Sequence, residues 1–202
     1  MQALTSPTPI IFKAYRGIEI AQIMDPLAQL RMSVFREYPY LYDGNIVNEQ
    51  KYLSRYVNIK NSFVLIVFEN GQVIGATTAT PLIEELEDLR IPYENAGITI
   101  AKTFYFGEAM LLPAYRGMGI YKTFMHERTQ AAIQYGATMC TFMAVMRPDH
   151  HPLKPQGYQG LKAIWNHYGF VEHPEIQPQF SWKDIDQQEE TKKPCTAWLK
   201  II

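Results

Sequence analysis

The sequence predicts an α/β fold in which a mixed β-sheet is flanked by helices, and two observations support this. Residues 104–112 and 137–146 are apolar strands separated by an amphipathic helix, and such a crossover makes its two strands parallel. Residues 62–68 and 72–78 are strand-like and joined by Asn70-Gly71, a strong signal for an antiparallel hairpin. The 202 residues, 47% of them hydrophobic, are expected to form one domain, residues 1–202, with a sizeable core.

Composition argues against several functional classes. The 19 basic and 20 acidic residues give a net charge of −1, which provides no electrostatic footprint for nucleic acid or an anionic membrane. Two cysteines are too few for a disulfide framework, so a reducing, cytoplasmic location is expected. No apolar run is long enough to cross a bilayer, and the first ten residues lack the features of a secretory signal. No Cys, His and Asp set has metal-ligand spacing, so no metal is expected.

The elements before the crossover follow from local patterns. Residues 10–15 are predicted to form the first strand. The first helix is expected to start at Asp25 as its N-cap, with Pro26 in the first helical position. A second helix is predicted over residues 48–56, whose apolar side chains fall on one side. Gly75, within the returning strand of the hairpin, indicates a bulge or a close neighbour.

The elements after the crossover are shorter. Residues 147–160 hold three prolines and two glycines, a composition typical of a loop. A short helix is predicted over residues 161–168, with Gly169 as its C-terminal cap. The remaining predictions are a strand from residue 170, an irregular segment over 174–193 and a final strand over 196–202.

The strongest functional signal is the glycine turn that follows the central strand. Pro113 ends this strand, and Arg116-Gly117-Met118-Gly119 turns the chain into the next helix. A strand, a glycine turn and a helix together aim free backbone N–H groups and the positive end of the helix dipole at an anion. The turn does not match a P-loop, which needs Gly-Lys-Ser/Thr, or a dinucleotide fingerprint, which needs a third glycine and a later acid.

Two motifs in this order resemble the GNAT superfamily of acyl-CoA-dependent N-acetyltransferases. The segment 112–120, Leu-Pro-Ala-Tyr-Arg-Gly-Met-Gly-Ile, is similar to the family's acetyl-CoA turn, Arg/Gln-x-x-Gly-x-Gly/Ala. The segment 165–170, Trp-Asn-His-Tyr-Gly-Phe, is similar to the aromatic-x-x-x-Gly-Phe that closes the family's last core helix. The motifs lie about 50 residues apart with the expected strand between them, and the resemblance covers roughly residues 8–202.

The resemblance implies a GNAT-like sheet that is mostly antiparallel, with a central parallel strand pair splayed to hold acyl-CoA. It implies an acetyl-CoA-binding core over about residues 103–170 and an extra connecting segment over about residues 81–100. In such a fold the turn binds the coenzyme A diphosphate, and the strand before it offers backbone groups to the pantetheine arm. The positions assigned to the cofactor in this way are Met110, Leu111, Leu112, Arg116, Gly117, Met118, Gly119, Ile120 and Tyr121.

The sequence also departs from the family pattern. The final glycine or alanine of the turn is Tyr121 here, although its backbone N–H is still able to bind a phosphate. The tyrosine that often protonates the leaving thiolate falls at Trp165, which has no acidic hydroxyl. The loop at residues 147–152 is longer than in typical members. The general acid is therefore left open.

Acetyl transfer to an amine needs a base within hydrogen-bond reach of the amine. Glu108 is the leading candidate because it is the one charged residue between Lys102 and Arg116, where family members often carry a strand carboxylate. The alternative role is an edge carboxylate paired with a cation. His150, with His151 beside it, is the next candidate base, since imidazole titrates near neutrality.

Other side chains are candidates for the acid and for the substrate mouth. Tyr168 and Tyr158 are candidate acids, with packing as the alternative role. Tyr38, Tyr40 and Tyr42 are candidates to line the substrate mouth. The acidic residues within 84–88 are interpreted either as a solvated helical face or as an acidic lip that favours a cationic substrate.

The leading hypothesis is an N-acetyltransferase that moves an acetyl group from acetyl-CoA to the amine of a small molecule or a peptide N-terminus. The alternative is a non-catalytic acyl-CoA-binding or sensing module, and a weaker third is a nucleotide-binding domain of another class. No nucleic acid or membrane partner is expected. The acceptor, the length of the acyl group and the choice between monomer and homodimer stay open.

Overall fold

The computed structural model describes residues 9–202. The prediction that the first ten residues lack a secretory signal concerns mainly residues 1–8, which lie outside the described residues. The described chain forms eight strands and five α-helices. The strands are Ile11–Arg16 (β1), Phe63–Glu69 (β2), Gln72–Pro81 (β3), Thr103–Leu111 (β4), Met139–Val145 (β5), Val171–His173 (β6), Gln179–Trp182 (β7) and Thr191–Ile201 (β8). The helices are Met24–Phe35 (α1), Ile46–Asn58 (α2), Glu87–Asn95 (α3), Ile120–Tyr135 (α4) and Lys162–His167 (α5).

The strands form one open sheet in the order β1-β2-β3-β4-β5-β8-β6, with β7 paired to the amino-terminal part of β8. The pair β4–β5 is parallel, and the other neighbouring pairs are antiparallel. This confirms the predicted α/β fold, with a mixed, mostly antiparallel sheet and a central parallel pair.

Both faces of the sheet are covered by helices, because the central strands are apolar on both sides. Along β2, Phe63 and Leu65 join the core under α4, whereas Val64 and Ile66 join the core under α1 and α2. Each fully buried side chain of this kind contributes roughly 1.5–3 kcal/mol. The helices on the α1–α2 face also supply Arg31, Glu49 and Tyr52 to the candidate site.

The hairpin β2–β3 turns where the sequence predicts. Asn70 and Gly71 have φ of 51° and 75°, as a two-residue hairpin turn requires. The register shifts between Val67 and Phe68, opposite Gly75. A Cβ at Gly75 would lie 2.7 Å from Leu111 Cδ1, so both the bulge and the close neighbour are confirmed.

Two predictions about element boundaries are wrong. The helix α1 begins at Met24, capped by Ile23, because a 3₁₀-helix over Gly17–Ile23 runs directly into it, so Asp25 is not the N-cap. The segment 174–193 is not irregular throughout, since it contains β7, and β8 begins at Thr191 rather than at residue 196. Residues 179–182 and 191–194 lack an apolar run, and they owe their strand conformation to pairing with each other.

Candidate active site

The central feature of the site is a gap between the two parallel strands. The strands β4 and β5 are paired over Thr103–Tyr105 and Met139–Thr141 only, although β4 continues to Leu111 and β5 to Val145. Beyond Tyr105 the two strands therefore separate, and the backbone of β4 on that side has no strand partner.

The backbone of β4 faces this gap at alternate residues. The Leu112 N–H donates to the Ile74 carbonyl of β3 at 3.0 Å. Hydrogen-bonding groups alternate between the two sides of a strand, so Met110 faces β3 as well and Leu111 faces the gap. The Leu111 carbonyl accepts accordingly from the side chain of Arg116. Of the three strand residues predicted to contact the cofactor, Leu111 has its backbone on the open side.

The turn before α4 presents a row of free backbone donors. Within the described chain, no acceptor binds the backbone N–H groups of residues 117–121. Gly117 and Gly119 have φ of 79° and 81°, a left-handed conformation that favours glycine. Five consecutive N–H groups at the start of a 16-residue helix form a suitable site for an anion.

The side chain of Arg116 is already engaged. Its guanidinium binds both oxygens of Glu37, at 2.8 and 3.1 Å, and the Leu111 carbonyl. Arg116 therefore ties the end of β4 to the segment after α1, and the anion-binding capacity of the turn resides in its backbone.

Glu108 lies at a bulge in β4. The register with β3 steps from Ala79–Phe106 to Thr77–Ala109, so Gly107 and Glu108 together face Thr78. Such a bulge redirects a side chain, and here it brings the carboxylate of Glu108 to the α1–α2 face.

The Glu108 carboxylate is buried and accepts three hydrogen bonds. They come from Arg31, from the Thr78 hydroxyl and from the Tyr52 hydroxyl at 2.8 Å. Burial, with the nearby charge of Glu108, raises the pKa of Tyr52 well above its usual value. Tyr52 therefore remains a hydrogen-bond donor to the carboxylate at neutral pH.

Two buried carboxylates share one guanidinium at this point. Arg31 of α1 binds Glu49 of α2 through Nε and Glu108 through Nη1, and the three residues are 8%, 2% and 8% exposed. Burial opposes the charge of Arg31, but the carboxylates outweigh burial and raise its pKa. With both carboxylates ionised, this Arg31–Glu49–Glu108 triad carries a net charge of −1.

The triad lies at a cavity of about 340 Å³ on the α1–α2 side of the sheet. Its walls are rich in aromatic residues and come from α1, the segment after it, α2, β4, β5, β7, β8 and the segment before β8. The aromatic residues are Phe35, Tyr40, Tyr42, Tyr52, Tyr105, Phe180 and Trp182. Tyr40 and Tyr42 thus line the cavity, and Tyr38 is not among its lining residues.

One buried ion pair holds the β7 wall in place. Arg147, after β5, binds both oxygens of Asp184 at 2.7 and 2.9 Å. The same guanidinium donates to the carbonyls of Pro39 and Tyr40 at 2.8 and 2.7 Å. Trp182 Nε1 also donates to the Tyr40 carbonyl, at 3.0 Å.

The other predicted catalytic residues lie away from this cavity. His150 is exposed in the loop after β5, and His151 and Tyr158 pack against Tyr38, with ring centroids 5.8 and 4.7 Å away. Tyr168, just after α5, packs against Tyr121 at 5.8 Å. None of these four residues lines the cavity with Glu108.

Trp165 is partly buried and packs against the core. Its ring centroid lies 5.0 Å from those of both Phe142 and Trp198. The position where many family members carry an acidic hydroxyl therefore holds a packed indole.

The acidic segment before β4 does not form a lip to the cavity. Glu85 is buried, with burial raising its pKa, and pairs with Arg55 at 2.7 Å. Glu84, Glu87 and Asp88 are exposed, and none of the four lines the cavity.

Sequence reasoning missed Arg31, Glu49 and Glu190 as residues of the cavity. A signal existed for the first two, because each is a charged residue on the apolar side of its helix. Arg31 follows Leu27 by four positions, and Glu49 precedes Leu53 by four. Glu190 lies in a polar segment that offers no such signal.

The described residues contain no group of three or more His, Cys, Asp or Glu side chains placed to hold a metal ion. None of the described helices combines the length and the apolar character that a membrane crossing needs.

Comparisons with known proteins bear on the fold. No family model matches the sequence, and no curated protein matches it. The acetyltransferase of GNAT family from Streptococcus pneumoniae matches with a TM-score of 0.57 at 12% identity, over 96% of this chain and 99% of that one.

Two more solved structures show the same likeness. Ribosomal-protein-alanine N-acetyltransferase from Brucella melitensis has a TM-score of 0.59 at 15% identity, over 95% of this chain and 99% of its own. PaiA N-acetyltransferase from Thermoplasma acidophilum, in complex with coenzyme A, has a TM-score of 0.57 at 12% identity, over 96% and 99%. The chain therefore has the fold of the GNAT acetyltransferases, which confirms the resemblance seen in the sequence at the level of the fold.

Proposed function

We propose that the protein is an acetyl-CoA-dependent N-acetyltransferase that acts on an amine bound in the aromatic cavity. The observation that carries this is the row of five free N–H groups at the turn 117–121, next to a strand that leaves its parallel neighbour. A diphosphate fits such a turn, and an extended amide-bearing arm fits beside a strand edge with free backbone groups. PaiA, which shares the fold, binds coenzyme A.

The residues present fit the cofactor. The N–H groups of residues 117–121 would bind the diphosphate, and the backbone of Leu111 would bind the pantetheine arm. Acetyl-CoA supplies an acetyl thioester. The gap between β4 and β5 opens next to Glu108, which lines the cavity on the α1–α2 side, so the two substrates would meet there.

Glu108 acts as the base. The acceptor enters as an ammonium ion, and the Glu108 carboxylate takes one proton from it, directly or through one water. The freed lone pair attacks the acetyl carbon, a C–N bond forms and the C–S bond breaks. The products are the N-acetylated amine, coenzyme A with a free thiol and one proton released to solvent.

The charge of the triad favours this proton transfer. Before it, Glu108, Glu49 and Arg31 carry a net −1 beside an ammonium ion, and afterwards the protonated Glu108 leaves Arg31 and Glu49 as a neutral pair. Both states thus avoid an unpaired buried charge, which would cost several kcal/mol. A thiol with a pKa of about 8.5 leaves readily as a thiolate, so a tyrosine at position 165 is not essential.

Replacing Gly119 with Val tests the cofactor site. Valine is strained at φ of 81°, at a cost of about 1–3 kcal/mol, and the turn must relax away from its anion-binding shape. We expect the dissociation constant for acetyl-CoA, measured by calorimetry, to rise about 10- to 100-fold. Gly136, with φ of 86° at the other end of α4, provides the matched control, G136V. Equal losses in the two variants, or none in G119V, would refute the assignment.

A non-catalytic acyl-CoA-binding module is the second candidate, because a packed tryptophan stands where a general acid is common. A binding module of this kind would have the same affinity for acetyl-CoA, but it would release no coenzyme A thiol with any amine. Thiol release in the presence of an amine separates the two candidates.

A further inference from the structure

The cavity has a second acidic end, away from the triad. Glu190, in the segment before β8, lines the aromatic cavity and also an adjoining polar compartment of about 270 Å³. Tyr42 and Asn48 are the other residues shared by the two spaces. The two compartments therefore adjoin each other at these side chains, and Glu190, which is exposed to solvent, lies between them.

Glu190 has no cationic partner among the described residues. No Lys, Arg or His nitrogen of the described chain lies within 4.0 Å of its carboxylate. Lys183, the cation of the polar compartment, already binds Asp43 at 2.6 Å. Arg31, the cation of the aromatic cavity, is committed to the triad. The two adjoining compartments thus have an excess of negative charge at the triad and at Glu190.

Aromatic rings lie between the two ends. Tyr42, Tyr52 and Trp182 belong to the cavity wall. Tyr52 already packs against two cations, with the guanidinium carbons of Arg31 and Arg55 at 4.3 and 5.7 Å from its ring centroid. Aromatic faces attract ammonium groups, and they also provide apolar surface against which methylene chains are buried. This wall suits a ligand with an apolar body between two positive charges.

The strap, residues 179–185, closes one side of the cavity. The Asp43 N–H donates to the Lys183 carbonyl at 2.9 Å, and the Ile185 N–H donates to the Leu41 carbonyl at 2.7 Å. A peptide chain running between the strap and residues 40–43 would have to break these bonds. A small molecule can be enclosed without breaking them.

We propose that the acceptor is a small linear diamine or polyamine, with its reacting nitrogen at Glu108 and its second cation at Glu190. This proposal rests on the proposed function, and it narrows the acceptor from a small-molecule or peptide amine to a compact dication. The second ammonium pairs with Glu190 while the triad receives the first.

Calorimetry with amines of matched shape tests this on the full chain, with and without saturating coenzyme A. Putrescine and cadaverine are compared with pentylamine and hexylamine, in which a methyl group replaces the second nitrogen. We expect the diamines to bind roughly 2- to 5-fold more tightly, as one solvent-exposed ion pair with Glu190 allows. The Glu190→Gln variant should lower diamine affinity to the level of the monoamines. Glu189→Gln, a neighbouring carboxylate that does not line the cavity, should leave diamine affinity unchanged.

The outcomes separate this inference from the proposed function. Equal affinities for diamine and monoamine, an E190Q variant that binds diamines like the native protein, or tighter binding of a short peptide would each overturn the diamine assignment. Absence of coenzyme A binding would overturn the acetyl-transfer proposal alone, because amine affinity is measured without coenzyme A as well. Thermal melts of the three proteins establish that each is folded.

Discussion

Replacing Glu108 with Gln is expected to lower kcat for acetyl transfer about 100- to 10,000-fold, which is the usual contribution of a general base. Glutamine keeps the shape of the side chain, and its amide oxygen can still accept from Arg31, while its amide nitrogen has to donate to the Thr78 hydroxyl instead of accepting from it. The amide cannot take a proton from the amine. Binding of acetyl-CoA should be unaffected, because the turn 117–121 is formed by other residues. The rate of the variant should rise with pH more steeply than that of the native enzyme, as a larger fraction of the amine becomes neutral in solution.

Glu85→Gln is the matched control for this experiment. Glu85 is buried like Glu108 and pairs with an arginine, Arg55, but it does not line the cavity. A general effect of removing a buried carboxylate would appear in both variants. An E108Q enzyme that turns over at the native rate, or an E85Q enzyme that loses as much activity, would exclude Glu108 as the base.

Replacing Arg147 with Met is expected to lower the free energy of unfolding by about 3–5 kcal/mol, because it leaves Asp184 buried without its main partner. The side chains of this pair are 8% and 1% exposed, and Arg147 also holds two backbone carbonyls. Urea unfolding measures the change. The matched control is R116M, which breaks an exposed bidentate pair with Glu37 and should cost at most about 1 kcal/mol.

The pH dependence of the stability difference between the native protein and R147M identifies the cause of the destabilisation. Burial opposes ionisation of Asp184, but its bonds to Arg147 prevail and hold its pKa below the usual value. The pair therefore stabilises the native protein above the unfolded-state pKa of about 3.9, and this contribution is lost as the pH falls through the lower folded-state value. The stability gap between native protein and R147M should be widest at neutral pH and narrow in acid. A gap independent of pH would attribute the loss to packing alone.

The sequence predicted those parts of the structure that depend on neighbouring residues. The hairpin at Asn70-Gly71, the glycine turn at 116–119 and the parallel pair β4–β5 all follow from local rules of turn geometry and crossover handedness. Glu108 could be singled out as a lone charge in an apolar strand, and the structure places it in the cavity.

The surroundings of Glu108 could not be predicted, because they come from segments distant in sequence. Arg31 lies 77 positions before Glu108, and the β7 wall with Trp182 follows much later. The strand β7 is four residues long, with alternating half-buried and exposed positions and no apolar run, so only its pairing with β8 defines it. The sharing of one guanidinium by two carboxylates is likewise a tertiary property that no single segment displays.

The proposed acetyl transfer depends most directly on where coenzyme A binds. Titration of isotope-labelled protein with coenzyme A, followed by the backbone amide NMR signals, measures this residue by residue. We expect the largest shifts at residues 117–121, followed by Leu111, with smaller changes at the cavity. Shifts centred elsewhere, or none at millimolar coenzyme A, would contradict the proposed acetyl transfer.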